Sequence, residues 1–321
     1  MRKGQNPAKY VNTVAKPARI TVAVLNYIPF QSGFYAQTLD VLKVCLGSIW
    51  DNTTELPYDL MVFDNGSCQE AIDYLLEAHQ QGKIQYLLLS EKNLGKGGAW
   101  NLIFEAAPGE VIAYSDNDVY FYQGWLSKSL QILETYSKVG MVTSRPFPTK
   151  PELYSNTVQW AQQSAEVSLE QGRLIPWDVF KAFDMSRGLT EEQARQAYET
   201  HQDVRLTYRG ILAYAGASHW QFIAYKSALQ QFLPFYMDKP MGQVLVLDQK
   251  MNDAGYLRLM TNDPLTQNMS NRLDWIHTPP VGGRTRSRDN SLRRKFLNVT
   301  PVKRILLGLY DRIFHWYYDI Q

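Results

Sequence analysis

Short apolar runs rich in β-branched residues recur through the first 144 residues, and a segment of helical periodicity separates each from the next. The runs are "RITVAVL" (19–25), "YDLMVFD" (58–64), "KIQYLLL" (83–89), "EVIAYSD" (110–116) and "VGMVTS" (139–144). Helices are predicted between them at 36–50, 69–81, 96–107 and 124–136; the first carries Leu39, Leu42, Leu46 and Ile49 on one face. Strands that alternate with helices predict an α/β fold, a mostly parallel sheet covered on both faces. Such sheets bind ligands outside the carboxyl ends of their strands. Those ends carry Asn26-Tyr27, Asp64-Asn65-Gly66-Ser67, Asn93-Leu94-Gly95 and Asp116-Asn117-Asp118, all polar and turn-forming.

The alternation stops after residue 144. Residues 145–210 predict two helices, near 157–171 and 190–202. A strand followed by a helix resumes at 217–235, and a further pair of elements occupies 243–260. Residues 279–295, "PPVGGRTRSRDNSLRRK", read as a linker. The last stretch predicts a helix with Thr300 as N-cap and Pro301 at its first position, with Ile305, Leu306, Leu309, Ile313, Trp316, Tyr317 and Ile320 on one wide face.

Charge is uneven. The formal net charge of the 321-residue chain is +2, yet residues 281–304 hold eight Arg or Lys against a single Asp, so the remainder is net negative. A basic linker before an amphipathic aromatic helix suits an anionic membrane surface; packing on the main domain or on a second copy suits it equally. Nucleic acid is not an expected partner, because no recognisable nucleic-acid-binding fold accompanies the basic stretch. Cys45 and Cys68 form neither a CxxC nor a disulfide framework, which points to a reducing compartment. The basic N-terminus lacks the apolar core of a signal peptide, and no stretch approaches the roughly 20 apolar residues that span a bilayer.

Asp116 and Asp118 are one residue apart. In extended chain they point the same way, so both carboxylates can face one ligand. Hard cations such as Mg²⁺ and Mn²⁺ take such oxygens and share them with phosphates. Alone, the pair reads first as a solvated turn. The glycines of "NLGKGGAWN" (93–101) precede a helix N-terminus, where backbone N–H groups and the helix dipole receive a phosphate. Tight helix packing would use the same glycines. The spacing is neither that of a Walker A loop nor G-x-G-x-x-G after the first strand.

In order, the polar end of the first strand, DNGS, NLG-x-x-x-A-x-N and D-x-D resemble the family 2 glycosyltransferases, over residues 18–147 and more loosely over 210–270. The resemblance implies the GT-A (Rossmann-like) fold: a mostly parallel mixed sheet flanked by helices, here with a C-terminal amphipathic helical extension. It implies a donor-nucleotide site at Asn26, Tyr27, Asp64, Asn65, Asn93, Gly95, Lys96, Asn101 and Asp116. It also implies Mn²⁺ or Mg²⁺ on Asp116 and Asp118. Asp248, in "VLVLDQKMNDAGY", matches the catalytic base of inverting members; Asp253 is the runner-up. The acidic residue expected before the base is Leu247, and the third metal ligand, a His in many members, falls at Asn268, with His277 the nearest histidine. His219 and Trp220 lie where acceptor contacts are placed, while Trp125 and Trp177 are undecided between core and sugar stacking.

The expected activity is sugar transfer from a nucleotide sugar, UDP-linked in the first instance, to a glycan or lipid-linked glycan, in a cytoplasmic protein peripheral on the membrane. Leu247 and the missing His motivate an alternative, a degenerate subunit acting as a binding or partner protein. The expected organisation is an N-terminal arm (1–17), a catalytic domain (18–275) with nucleotide-binding (18–147) and acceptor (148–275) halves, a basic linker (276–299) and the terminal helix (300–321).

Overall fold

Four of the five apolar runs become strands buried on both faces, a placement that favours stiff, branched side chains, while the run that ends near residue 90 forms a partly exposed edge strand. The computed structural model describes residues 4–238 and 244–273, all within the unit Met1–Ile276. The linker and terminal helix expected beyond 276, with His277, lie outside the described residues.

The first half runs β1 (Ile20–Asn26), α1 (Thr38–Asn52), β2 (Tyr58–Asn65), α2 (Gln69–Gln80), β3 (Tyr86–Ser90), α3 (Gly95–Ala106), β4 (Val111–Asp116), β5 (Val119–Phe121), α4 (Trp125–Thr135) and β6 (Val139–Thr143). All but β5, which was not expected, match the elements expected from periodicity to within three residues at each end. The second half adds α5 (Ser155–Gln163), β7 (Val167–Gly172), α6 (Trp177–Ser186), α7 (Glu191–Thr200), β8 (Asp203–Tyr208), β9 (Ile211–Ala215), β10 (Gln221–Tyr225), α8 (Lys226–Gln230), α9 (Leu245–Asp253), β11 (Leu257–Thr261) and β12 (Thr266–Asn268).

The main sheet has ten strands in the order β3-β2-β1-β4-β10-β6-β11-β9-β8-β7, and β12 pairs with β5 in a separate ribbon. The block β3-β2-β1-β4 is parallel. β10 runs backwards between β4 and β6, β11 is again parallel to β6, and β9, β8 and β7 continue as an antiparallel meander. Successive side chains alternate between faces. Val22, Val24, Leu60 and Val62 therefore pack with α1, α2 and α4, whereas Ala23, Leu25, Met61 and Phe63 pack with Trp100, Ile103 and Phe104 of α3 and Leu247 and Met251 of α9. Full burial of a side chain such as Leu42 contributes roughly 1.5–3 kcal/mol.

The helix expected over 157–171 ends at Gln163, and Val167–Gly172 is a strand instead. Val167 and Leu169 are half-buried while Ser168 and Glu170 are exposed, a period of two that an edge strand on β8 requires. The meander strands β8 and β9, and α6, went unseen in the sequence because each is short. Among the described residues no helix is long and apolar enough to cross a membrane.

Candidate active site

The carboxyl ends of β1, β2 and β4 are joined by side-chain hydrogen bonds. Asn26 Nδ2 donates to Asp64 Oδ2 at 2.7 Å and to Ser67 Oγ at 3.0 Å. Asp64 Oδ1 accepts the backbone N–H groups of Gly66 and Ser67 at 3.2 and 3.0 Å. Asn117 Nδ2 reaches back to Asn26 Oδ1 at 2.6 Å. Asn26 and Asp64 are wholly buried, so they hold the rim in shape and their polar atoms are already engaged. A second knot binds the β2 end to α3: Asn65 Nδ2 donates to Asn93 Oδ1, Leu94 N–H to Asn65 Oδ1 and Gly95 N–H to Asn93 Oδ1, all within 3.0 Å. Gly66 takes φ +90°, and a Cβ there would meet the backbone of Lys92 and Asn93 at 3.1 Å. Tyr27 packs edge-on to Tyr35, 6.2 Å between ring centres.

The acidic pair lies at the exit of β4. Asp116 accepts from Tyr114 Oη at 2.7 Å on one oxygen and from Lys96 Nζ at 2.7 Å on the other. Lys96 is itself buried, its ammonium 5.5 Å from the Trp100 ring centre and 5.7 Å from that of Tyr114. Asp118 has no such support. Its Oδ1 is shut off from solvent without a partner among the described residues. Burial first, and then the Asp116 carboxylate, push Asp118 up to about 7, against the pull of Lys96. Burial likewise raises the Tyr114 phenol well above its ordinary value, with Asp116 adding to it.

Across the rim stands a third cluster. His219 Nδ1 is 2.6 Å from Asp248 Oδ2, and the other oxygen of Asp248 pairs with Arg258. Arg258 also donates to the carbonyls of Leu153 and Ala217, each at 2.5 Å. Burial pulls its guanidinium down and Asp248 draws it back up. Among the described residues Asp248 is the acid of this cluster, since Leu247 is fully buried in the apolar cluster of α3 and α9, where a carboxylate would be unpaired. Asp253 is exposed and bonds Gln249 at 2.8 Å.

The remaining expected residues separate. Asn101 exchanges two hydrogen bonds with the backbone of Phe235, at 2.9 and 2.7 Å, and so fastens the chain after α8 to α3. Trp220 is buried against Phe147 and Phe183. Trp125 is a core residue bonded to Thr53 Oγ1 at 2.9 Å. Trp177 packs under Arg195, 3.9 Å from ring centre to guanidinium. Asn268 pairs with Val119 in the β12–β5 ribbon, next to Asp118, and its Oδ1 accepts from Ser270 N–H at 2.7 Å. Among the described residues no group of three or more His, Cys, Asp or Glu comes together.

Sequence reasoning missed Arg258, Asn117 and Arg145. An arginine inside the apolar strand "LRLM" was the available signal, because a buried cation requires an acid. Arg145, buried and lowered to about 10 by that burial, donates to the carbonyls of Thr266 and Val179. Buried polar atoms without a partner among the described residues include Asp118 Oδ1, Arg145 Nε, Trp220 Nε1 and Thr266 Oγ1. All lie on segments that meet at this edge of the sheet, where a ligand is expected to supply partners.

The family described as "Glycosyl transferase family 2" matches residues 34–192. The "Uncharacterized glycosyltransferase alr2836" of Nostoc sp. (strain PCC 7120) is 28% identical over 89 residues, which is 28% of this chain and 28% of that protein. Among solved structures, the mannosyltransferase PcManGT of Pyrobaculum calidifontis, in complex with GDP-Man and Mn²⁺, is 15% identical at a TM-score of 0.43, covering 77% of this chain and 55% of that one. S. aureus TarS 1–349 in complex with UDP-GlcNAc is 13% identical at a TM-score of 0.43, covering 77% and 57%. The order of motifs and the family match agree over the same part of the chain: residues 34–192 are similar to family 2 glycosyltransferases, and the strands that the motifs end form a mixed sheet whose first block is parallel.

Proposed function

We propose that the protein moves a sugar from a nucleotide-sugar donor, UDP-linked in the first instance, to an acceptor hydroxyl with inversion, in glycan or polysaccharide synthesis. The observation that carries this reading is Asp118, whose solvent-shielded Oδ1 has no partner among the described residues, two residues from Asp116 at the β4 exit. A hard divalent cation fits this donor set, because it would satisfy the orphaned oxygen and favour the ionised form that burial opposes. Asp118 would be its principal protein ligand and Asp116 a second, with diphosphate oxygens and water completing the shell. When bound, Mn²⁺ or Mg²⁺ supplies positive charge against the leaving diphosphate.

The chain's own residues do the rest. Lys96, 2.7 Å from Asp116, adds a cation beside the same carboxylate. The α3 N-terminus offers backbone N–H groups to a phosphate. The bonded ends of β1 and β2 and the ring of Tyr27 frame the nucleoside. Inversion needs a base on the acceptor side, and Asp248 with His219 supplies it. The acceptor is a glycan or lipid-linked glycan, and the basic and amphipathic segments beyond residue 276 suit a cytoplasmic membrane surface.

The test is nucleotide release from a panel of UDP-, GDP- and TDP-sugars, with Mn²⁺ or with EDTA. At least one donor should turn over, EDTA should stop it, and Asp118→Asn should slow it by roughly a hundredfold or more. Absence of both binding and turnover with every donor overturns the reading and leaves a degenerate partner subunit.

A further inference from the structure

The geometry points to His219, and not Asp248 itself, as the group that takes the acceptor's proton, with Asp248 as its positioning residue; the inference rests on the glycosyl transfer proposed above. Asp248 is 1% exposed. One of its oxygens faces Arg258 and the other faces His219 Nδ1. Arg258 is completely buried and fixed by two carbonyls, so it cannot swing away to free the carboxylate. Of the two side chains that cover the carboxylate only His219 has exposed surface, so an acceptor hydroxyl meets the ring before it meets Asp248.

His219 has the complementary properties. Its side chain is 19% exposed against 2% for that of Asp248. Nδ1 alone is bonded, and Nε2 has no hydrogen-bond partner among the described residues. With Nδ1–H donated to the carboxylate, Nε2 carries the lone pair, which is the tautomer a base needs.

The ring is also in the right place. His219 lies between two anchors at the sheet edge: Ser218 N–H bonds Thr143 Oγ1 at 2.9 Å, and Trp220 carbonyl accepts Asp116 N–H at 2.9 Å. Its ring meets the edge of Trp100, 6.3 Å between centres, and the Lys96 ammonium lies 5.5 Å from the centre of the same indole. One indole therefore separates the His219–Asp248–Arg258 cluster from the Lys96–Asp116 pair. The step balances as follows. The acceptor O–H gives its proton to His219 Nε2 while its oxygen bonds the anomeric carbon. The bond from that carbon to the phosphate oxygen breaks, and its electron pair leaves with the nucleoside diphosphate. Nδ1–H stays on the ring, which then returns the acquired proton to solvent.

The experiment uses the full chain with Mn²⁺, the nucleotide sugar that turns over, and water as acceptor. His219→Ala should slow nucleotide release about 10²- to 10⁴-fold while UDP affinity by calorimetry stays within about twofold. Added imidazole should restore part of the rate to His219→Ala and none to Asp248→Asn. His219→Gln, which can still donate to Asp248, controls for folding and should be as slow as His219→Ala. A His219→Ala rate within about threefold of the parent overturns the inference. So does failure of imidazole to restore any rate to a His219→Ala protein that melts and binds UDP like the parent. No nucleotide release by the parent from any donor sinks glycosyl transfer itself, a separate outcome.

Discussion

Arg258 stands second in β11 with no exposed surface, and its charge is answered by Asp248 on the neighbouring helix α9. Removing one partner of such a pair strands the other charge away from water. Arg258→Met should therefore cost about 3–5 kcal/mol in urea unfolding, and adding Asp248→Asn should recover a large part of that loss, because the stranded carboxylate is gone. A fully additive cycle would show that the two do not interact. Asp184 makes a second residue-scale prediction. Burial raises its carboxyl, opposed by Arg187 and His201. A carboxyl raised on folding contributes stability that is complete below the ordinary carboxylate range and declines as pH rises through its folded value. Asp184→Asn should thus gain in melting temperature relative to the parent at pH 7 and not at pH 4; an equal effect at both would refute it. Single residues such as Asp116, Asp118 and Asp64 were legible in the sequence because they end apolar runs. Arg258 and Asn117 were not, since their partners lie far away along the chain.

Elements were legible where burial is two-sided. β1, β2 and β4 show as continuous β-branched runs, and α1 as a stripe that includes the buried Leu42, Leu46 and Ile49. β7, the outer strand of the meander, was read as helix because a half-buried edge strand of alternating polarity imitates a helix over a few residues. α9 read correctly as an element, yet nothing in its local pattern reveals that Leu247 faces the core. α3 carries a prediction of its own. Gly97 packs on the segment after α8, and a Cβ there would lie 2.6 Å from Met237 Sδ and 3.0 Å from Phe235 Cβ. Gly97→Ala should loosen that segment and lower the melting temperature, while Gly98→Ala, whose nearest neighbour outside the helix backbone is Leu94 Cβ at 3.0 Å, should cost less. Equal losses would mean that the contact with Met237 yields freely.

At the scale of the molecule, the two thiols report on how the structure opens. Cys45 is wholly buried in the layer under α1, and burial drives its thiol upward, whereas Cys68 is half-buried. Under native conditions a thiol reagent should label Cys68 and spare Cys45, which should become reactive only along the unfolding transition. Early labelling of Cys45 would place a local opening at α1, beside the exit of β4. The backward run of β10 has a wider consequence. Since β10 descends where its neighbours ascend, the chain leaves the rim at Ser144 and regains it at Ser218, which is bonded to Thr143 at the point of departure. The intervening stretch is an excursion whose two ends meet. Under the proposed transfer, such a stretch is where acceptor preference would diverge between related proteins, so long as the Leu153 and Ala217 carbonyls that hold Arg258 are kept in place.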